Sequence, residues 1–497
     1  MGAYRTTEMR ARRSVARAGL LLTLAAAGLL AGCMSTPSYE RPATPLPTAW
    51  RAAPPQDESA AWIPAAVEDG LAYPPAAWWL VFGDPELERL IATAHGNNHD
   101  LKAAASRVAQ AEARARAAAA DLYPGLAGSG SSDRDGSGGS RLDPSYRSGL
   151  QAEYEVDFWG KNRAAAESAD AAIEASRFNR ETVALSLTAE VATTYFEYLA
   201  LRDRLASARQ QLEIARRVLD LVRAQAEWGA VSELRVAQQR NTVATLEATL
   251  PTLERQQAET GNALAGLLGL APQELELTPG GSLGAVAVPP VEPGLPAELL
   301  NRRPDIRRAE ADLVAANADV HAARAALFPS IRLTGGAGFA SAALSSLVGV
   351  GGSFYNLVSG LTAPIFDAGR LRAGHELAQA REEELVHGYR ASIIAGLREV
   401  EDALAAAKYL AETEAAQGEA LAQARRAYAL AEVQYRAGAV DFMTVLDAQR
   451  TLFQAEDTLL QTRLARLNAS VALFKALGGG WSEPPPHPGS APARIAI

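Results

Sequence analysis

The sequence is internally duplicated, and this duplication constrains the fold more than any other feature. Leu122-Tyr123-Pro124 recurs as Leu327-Phe328-Pro329 at an offset of 205 residues. Gly229-Ala230-Val231 recurs as Gly438-Ala439-Val440 at an offset of 209, and Leu268-Gly269 recurs as Leu477-Gly478 at the same offset. Three motifs that recur in the same order, at nearly constant offsets, predict two structural repeats of roughly 200 residues that fold alike.

Each repeat carries a long helical tract, predicted over Arg163–Glu227 and Leu371–Arg436. At 1.5 Å per residue each tract spans roughly 100 Å. Apolar and small residues step by three and four along the first tract: Tyr198, Leu201, Leu205, Ala208, Leu212, Ala215, Leu219 and Val222. This spacing predicts heptad packing against neighbouring helices along the whole length. An ordinary two-stranded coiled coil has the same pattern, so the pattern alone does not distinguish the two structures.

The section before each long tract has the alternation of β-strands. Apolar residues at 150, 152, 154, 156 and 158 alternate with Gln151, Glu153, Glu155 and Asp157. One apolar and one polar face suit a tilted membrane-spanning strand. The Gly- and Ser-rich segment 128–140 is predicted to be an exposed loop. Each repeat therefore contributes one hairpin, and the chain contributes four strands.

Four strands cannot close a barrel. An open sheet edge in lipid leaves backbone N–H and C=O groups without partners, at a cost of several kcal/mol each. Bacterial barrels have about eight strands or more. The strand count therefore predicts that several copies of the chain combine their strands.

The N-terminus has the pattern of a secretory signal. Five arginines precede an apolar run from Ala18 to Leu30, which is too short for an ordinary membrane span. Leu30-Ala31-Gly32-Cys33 follows and resembles the bacterial lipobox, which implies diacylglycerol on Cys33 and cleavage before it. Cys33 is the single cysteine of the chain. The other interpretation is an ordinary signal with a cysteine there by chance.

Composition and motifs argue against several other functions. The formal charge of −9, from 48 basic and 57 acidic side chains, argues against a nucleic-acid partner. Gly280-Gly281-Ser282-Leu283-Gly284 matches a nucleophile-elbow pattern, but it lies in a Pro- and Gly-rich connection with no helix following and no histidine nearby. The six histidines have no zinc-ligand spacing, and no phosphate-binding loop occurs. We therefore expect neither an enzyme, nor a cofactor, nor a metal site.

Four further motifs, together with the lipobox and the duplication, carry a resemblance to a known family. They are Gly83-Asp84-Pro85-Glu86-Leu87, Asn301-Arg302-Arg303-Pro304-Asp305-Ile306, Pro364-Ile365-Phe366-Asp367-Ala368-Gly369-Arg370 and Val445-Leu446-Asp447-Ala448-Gln449. From Trp78 to Gly479 the chain resembles the TolC-type outer-membrane efflux family, in its NodT-like and OprM-like lipoprotein branch. The resemblance implies a homotrimer with a twelve-stranded membrane β-barrel and a long α-helical barrel. It also implies a passive exit duct for drugs or other toxic small molecules. Its implied partners are a periplasmic adaptor and an inner-membrane transporter that delivers these molecules.

The repeats and the resemblance together predict the domain organisation. The divisions are a signal peptide at 1–32, a lipidated extended segment at 33–84, a first repeat at 85–269, an equatorial linker at 270–300, a second repeat at 301–478 and a Pro-rich tail at 479–497. The first repeat divides into helices at 85–121, a β-hairpin at 122–160 and a helical hairpin at 161–269. The second divides into a helix at 305–326, a β-hairpin at 328–366 and a helical hairpin at 369–478.

The resemblance also assigns roles to the tips of the two helical hairpins. It implies adaptor contacts at Gly229, Ala230 and Val231 and at Arg436, Gly438, Ala439 and Val440. A simpler interpretation is that each glycine ends a helix in the left-handed conformation.

Beyond the second tip, Met443, Asp447 and Arg450 share a helical face. The family pattern implies a periplasmic gate there, with Arg450 tying an Asp447 ring to a neighbouring helix, although Thr444 replaces a second acid. The alternative is a solvated face with one ion pair.

Two other functions stay open on the sequence. One is the exit duct of a type I protein-secretion system, and the other is a structural periplasmic coiled-coil lipoprotein without a pore. The strand alternation favours a channel over the coiled coil. The lipobox and the Asn-Arg-Arg-Pro-Asp motif favour efflux over secretion. We therefore expect an outer-membrane efflux channel, anchored by lipid and extending into the periplasm.

Overall fold

The computed structural model describes residues 39–51, 77–135, 143–277, 281–289, 291, 294–348, 352–479 and 481. Within these ranges the chain divides into two compact units. One unit comprises 39–43, 109–175 and 309–389, and the other comprises 44–108, 176–308 and 390–481, each without the gaps given above. The predicted signal peptide, Cys33 and nearly all of the C-terminal tail lie outside the described residues.

The two repeats contain matching elements except at their starts. The longer helices are α1 Pro85–Asn97, α2 His99–Ala120, α3 Lys161–Glu227, α4 Glu233–Leu267, α5 Pro304–Ala325, α6 Arg370–Arg436 and α7 Phe442–Ala476. The second repeat has the four-residue helix Leu299–Arg302 where the first has the end of α1. The strands are β1 Gly125–Asp135, β2 Asp143–Val156, β3 Ser330–Ser341 and β4 Ser353–Thr362. Both α3 and α6 have 67 residues, and both α4 and α7 have 35. Equal helix lengths in the two halves are what a duplicated sequence predicts.

The heptad pattern of the long helices corresponds to burial in the unit that contains 176–308 and 390–481. Seven of the eight stepping residues of α3 are at most 6% exposed, from Leu201 to Val222, and Tyr198 is half-buried. Their partners include Val236 on α4 and Val445 on α7, which are also buried. The prediction of packing along the helix length is therefore confirmed for this part of α3. Among the described residues, no helix combines the length and the apolar character needed to cross a membrane.

The unit that contains 109–175 and 309–389 holds one antiparallel sheet, in the order β1-β2-β3-β4. The first repeat supplies β1 and β2, the second supplies β3 and β4, and β2 pairs with β3 to join them. Gly149 faces Gly338 in this pairing, and a Cβ on Gly338 would lie 2.3 Å from the carbonyl oxygen of Ser148. Glycine at this crossing therefore lets the two hairpins approach closely enough to form one sheet.

The structure corrects two details of the strand prediction. Residues 128–135, expected in an exposed loop, belong to β1, where Gly128 pairs with Leu150 and Ser129 with Gly149. Backbone pairing to β2 holds this strand, so its glycines and serines need no apolar period. At the other end β2 stops at Val156, and Phe158 lies beyond it. Asp157 instead accepts hydrogen bonds from the backbone N–H groups of Asn162 and Arg163, which begins α3.

In each repeat the second long helix, α4 or α7, runs back along the first, and we call it the return helix. The end of each return helix contacts a buried polar side chain, and the two side chains stand at equivalent positions of the repeats. In the first repeat the Asn98 amide donates to the Leu267 carbonyl, at 2.9 Å. In the second, the Arg303 guanidinium donates to the Ala476 carbonyl, at 3.0 Å. We call these two contacts the joints. The repeated Leu-Gly pairs follow them directly, and a Cβ on Gly269 or Gly478 would lie 2.6 or 2.5 Å from the carbonyl oxygen of Asn97 or Arg302.

Candidate functional site

The hairpin tips are two copies of one turn. Gly229 and Gly438 have φ angles of 72° and 74°, the left-handed conformation in which a side chain is strained. At the first tip Gly229 donates to the Ala226 carbonyl and Ala230 donates to the Gln225 carbonyl, at 2.9 and 2.8 Å. The second tip has the same pair of bonds, which form a Schellman motif in both places. The interpretation of each glycine as a helix terminator is therefore confirmed.

Side chains join the two tips to each other. The Tyr435 hydroxyl donates to the amide oxygen of Gln225, at 2.7 Å, and the Tyr435 ring contacts Phe442. Phe442 and Val222 are at most 1% exposed in the cluster between the hairpins. The valines of the two Gly-Ala-Val turns pack against this cluster. In each Gly-Ala-Val motif the glycine turns the chain, a small alanine follows it, and the valine packs inward.

An N-cap fixes the start of α7 just beyond the second tip. A carboxylate oxygen of Asp441 accepts hydrogen bonds from the backbone N–H and the hydroxyl of Thr444, at 2.9 and 2.8 Å. These bonds stabilise the ionised carboxylate and lower the pKa of Asp441. Thr444, which occupies the position of a second acid in the family pattern, is therefore part of a helix cap. The spacing Asp-x-x-Thr was the sequence signal for it.

The predicted gate residues lie on the exposed side of α7. Met443 is 54% exposed, and the Arg450 guanidinium donates to the Asp447 carboxylate of the same helix, at 2.7 Å. The side chains of Arg450 and Asp447 are 83% and 68% exposed, so this pair adds little to stability. Within one protomer the contact is the i,i+3 ion pair of the simpler interpretation. Pairing of Arg450 with a neighbouring helix stays a prediction.

Met443, Asp447 and Arg450 line one cleft of about 610 Å³ between α7, α4 and α3. Opposite them on α4 lie neutral polar side chains: Gln238, Asn241, Thr242, Thr245 and Thr249. Leu446 and Phe453 add apolar surface. In the repeat register Gln238 and Asn241 are the counterparts of Asp447 and Arg450. The cleft therefore lies between two equivalent helix faces, of which only the α7 face carries the charged pair.

Sequence reasoning missed two features of this cleft. Arg204 on α3 donates to Asp457 on α7, at 2.6 Å, and this ion pair links the two hairpins further along the helices. Gln449 is 1% exposed, and neither its amide nitrogen nor its amide oxygen has a hydrogen-bond partner among the described residues. A buried, unbonded amide is costly. The spacing does indicate this burial, since Gln449 stands in the 3-4-3 series of Phe442, Val445 and Leu452, all of them buried.

The serine of the nucleophile-elbow pattern has a structural role. Ser282 donates its hydroxyl to the Asp203 carboxylate, at 2.9 Å, and accepts from the backbone N–H of Gly284. The same Asp203 oxygen accepts the backbone N–H of Leu283, at 2.8 Å. Ser282 and Asp203 therefore fasten the segment between the repeats to α3.

Known proteins resemble this chain over both repeats. The family model described as outer membrane efflux protein matches residues 90–270 and 295–479. The pyoverdine export outer membrane protein OpmQ of Pseudomonas putida is 44% identical over 455 residues, which cover 89% of this chain and 95% of OpmQ. The probable outer membrane lipoprotein SilC of Salmonella typhimurium is 34% identical, over 93% of this chain and 99% of SilC.

A solved structure agrees in fold. The open state of the MtrE outer membrane channel of Neisseria gonorrhoeae superposes with a TM-score of 0.81 at 30% identity, and covers 90% of this chain and 98% of MtrE. The family model accounts for both repeats, and the relatives match over nearly their whole length. The chain belongs to the outer membrane efflux protein family and is the outer-membrane channel component of an efflux system.

Proposed function

We propose that three copies of this chain form a passive exit duct, with a twelve-stranded β-barrel continued by a barrel of long helices. The supporting observation is the open four-stranded sheet, in which β1 and β4 form the two edges. Every residue of β4 is exposed in the single chain, including Tyr355 at 91% and Leu357 at 81%. Three such sheets joined β4 to β1 satisfy both edges and give twelve strands.

Cysteine cross-linking between the edge strands tests this assembly. A Ser129→Cys substitution on β1 is combined in turn with a cysteine at each position from 353 to 362 on β4. Oxidation of membranes gives covalent trimers on non-reducing gels for the pairs that face each other, and monomers for each single-cysteine control. A stable monomer that is soluble without detergent and keeps its full β-content would contradict both the barrel and the trimer.

We infer further that the duct is anchored by lipid on Cys33. The lipobox Leu30-Ala31-Gly32-Cys33 supports this, as does the name of the relative SilC, a probable outer membrane lipoprotein. Two or three acyl chains hold a protein in a membrane where one does not. Mass spectrometry of the mature N-terminus should find acylated Cys33, and Cys33→Ser should abolish both acylation and processing there. An unmodified mature N-terminus would contradict the anchor.

Met443, Asp447 and Arg450 form the proposed gate on the three-fold axis. Their position in one cleft beside the second tip, with exposed side chains, supports this role. Three copies around one axis turn each side chain into a ring. Three Asp447 carboxylates then repel one another, and the Arg450 guanidinium groups offset this repulsion. The cargo is delivered by an inner-membrane transporter through a periplasmic adaptor. The adaptor docks on the two tips, at 229–231 and at Arg436, Gly438, Ala439 and Val440.

The domain divisions belong to the same proposal. The segment 33–84, the linker 270–300 and the tail 479–497 form the equatorial part around the helical barrel, between the repeats 85–269 and 301–478. Export tests the function as a whole: deletion of the gene should abolish release of the cargo of its pump, and the wild-type chain should restore it. Restoration by a variant without the β-hairpin 328–366 would contradict a duct that needs the barrel.

A further inference from the structure

Trp228, the first residue after α3, is 88% exposed. Tryptophan is a mostly buried residue type, so a nearly fully exposed ring needs a reason. The turn does not supply one. The equivalent residue at the second tip is Ala437, and the two turns have the same left-handed glycine and the same backbone hydrogen bonds. The indole of Trp228 is therefore not required for folding the tip.

The surroundings of Trp228 also differ from those of Ala437. Leu234 is 66% exposed and adds apolar surface to the first tip, as its counterpart Met443, 54% exposed, does to the second. The difference lies in charge, because Glu227 and Glu233 are exposed acids beside Trp228. The second tip has Arg436 in place of Glu227, and Arg436 is paired with Glu432. The first tip is thus an apolar surface with an acidic rim, whereas the second carries a small residue beside a paired arginine.

Trp228 stands on a rigid support. Three residues earlier, Gln225 accepts the Tyr435 hydroxyl, and Val222 and Val236 on the two sides of the turn are at most 2% exposed. A side chain presented by an ordered backbone loses little conformational freedom when a partner covers it. Exposed aromatic residues on such supports carry most of the binding energy in many interfaces.

We propose that Trp228 anchors the periplasmic adaptor, in an apolar pocket of the adaptor that is rimmed by Lys or Arg side chains. This inference rests on the proposed function, in which the tips meet the adaptor, and it makes the two tips unequal. The acidic rim from Glu227 and Glu233 selects a basic partner surface. The second tip of a neighbouring protomer fits less well, because its Arg436 is already paired with Glu432 and its Ala437 offers only a small side chain.

Binding measurements with purified components test the anchor. The trimer is immobilised, and the probe is the purified adaptor of the pump whose export the wild-type chain restores. Trp228→Ala should weaken adaptor binding on the order of 30-fold, as expected for an interface hot spot, and Trp228→Phe should weaken it less. The matched control is Tyr409→Ala, which removes an aromatic side chain that is 59% exposed on α6 away from the tips. Its affinity should equal that of the wild type.

Two further variants test the inequality of the tips and the charge of the partner. Ala437→Trp in the Trp228→Ala background should not restore affinity, since Arg436 and Phe442 stand at the second tip where the first has Glu227 and Glu233, and Asp441 is engaged in its N-cap. Glu227→Lys combined with Glu233→Lys should weaken binding and reduce its dependence on salt. Restoration by Ala437→Trp, or unchanged binding of Trp228→Ala, would overturn the proposal. Loss of the trimer in Trp228→Ala would assign the residue to the protomer interface instead. If the wild type binds no adaptor, the proposed function itself fails.

Discussion

The two repeats share the lengths of their long helices and the backbone of their tip turns, but carry unlike side chains at several equivalent positions. Asn98 and Arg303 end the return helices at the joints, and Gln238 and Asp447 face the same cleft. In each pair the second repeat carries the charged residue. Main-chain hydrogen bonds, glycine φ angles and close glycine contacts are shared because they define the fold. Side chains at the joints, the tips and the cleft differ between the repeats, although the backbone contacts there are shared.

The joints should show the largest difference between the repeats. Arg303 is 7% exposed and makes ion pairs with Asp305 and Glu399, both at 2.8 Å, besides its bond to the Ala476 carbonyl. Arg303→Ala leaves that carbonyl and two carboxylates without their partner, so we expect a loss of about 2–3 kcal/mol in the free energy of unfolding. Asn98→Ala removes a neutral amide from the matched position and should cost about 1–2 kcal/mol.

Denaturant unfolding of both variants in detergent measures this difference. Arg303→Lys is the control, because it keeps the charge but not the planar fork that reaches three partners. It should fall between the wild type and Arg303→Ala. Equal losses for Arg303→Ala and Asn98→Ala would mean that the two joints are energetically alike despite their different chemistry.

The cleft should show the next difference, in ion selectivity. Asp447→Asn makes the α7 face neutral, like Gln238 on α4. In the proposed gate the variant leaves three arginines without their acids, so the closed ring should loosen and its ion selectivity should shift away from cations. Reversal potentials across planar bilayers in a salt gradient give the preference. Gln238→Asp is the control and should change it less. The same conductance and selectivity in wild type and Asp447→Asn would place the constriction elsewhere.

The starts of the return helices give a smaller contrast. Asp441 caps α7 with its side chain, whereas its counterpart Ser232 makes no side-chain cap bond to α4. Asp441→Ala should therefore speed amide exchange of Thr444 on the order of fivefold, and Ser232→Ala should leave the first turn of α4 unchanged. Since the pKa of Asp441 is lowered, its cap is intact at neutral pH and is lost only as the pH falls below 3.8 through the folded pKa. Equal effects in the two variants would contradict the contrast.

The repeats and the long helices could be predicted from the sequence because they depend on periodic, local signals. The heptad residues and the Gly-Ala-Val turns are read directly from spacing, and both are confirmed. β1 was partly missed, since its glycines and serines have no apolar period and its pairing partner is β2. The joints were missed for the same physical reason, because Arg303 meets a carbonyl 173 residues away.

The candidate site was predicted less completely than the fold. Spacing places Met443, Asp447 and Arg450 on one face, and the cleft brings them together. The facing residues Gln238 and Asn241 belong to the other repeat, so only the folded chain reveals them. The exposure of Trp228 is also a property of the tertiary structure, since an apolar residue at the end of a heptad tract is usually buried. Sequence patterns therefore predicted one wall of the site and not its counterpart.

The smallest expected effect concerns His95, whose counterpart in the second repeat is Leu300. His95 contacts Thr188 through Nε2, at 2.7 Å, and packs against Trp79. Burial lowers the pKa of His95 below its ordinary value of 6.5, although Glu181 acts in the opposite direction. A lowered histidine pKa means that the folded protein binds the proton less readily than the unfolded chain does. The stability this group contributes is therefore present above pH 6.5 and is lost as the pH falls through the folded pKa.

His95→Gln cannot titrate, so the difference in thermal midpoint between wild type and variant should shift against the wild type between about pH 7.5 and pH 5.5. Parallel midpoints over this range, or a wild type that gains relative stability in acid, would show that His95 is not held neutral by burial in the folded protein.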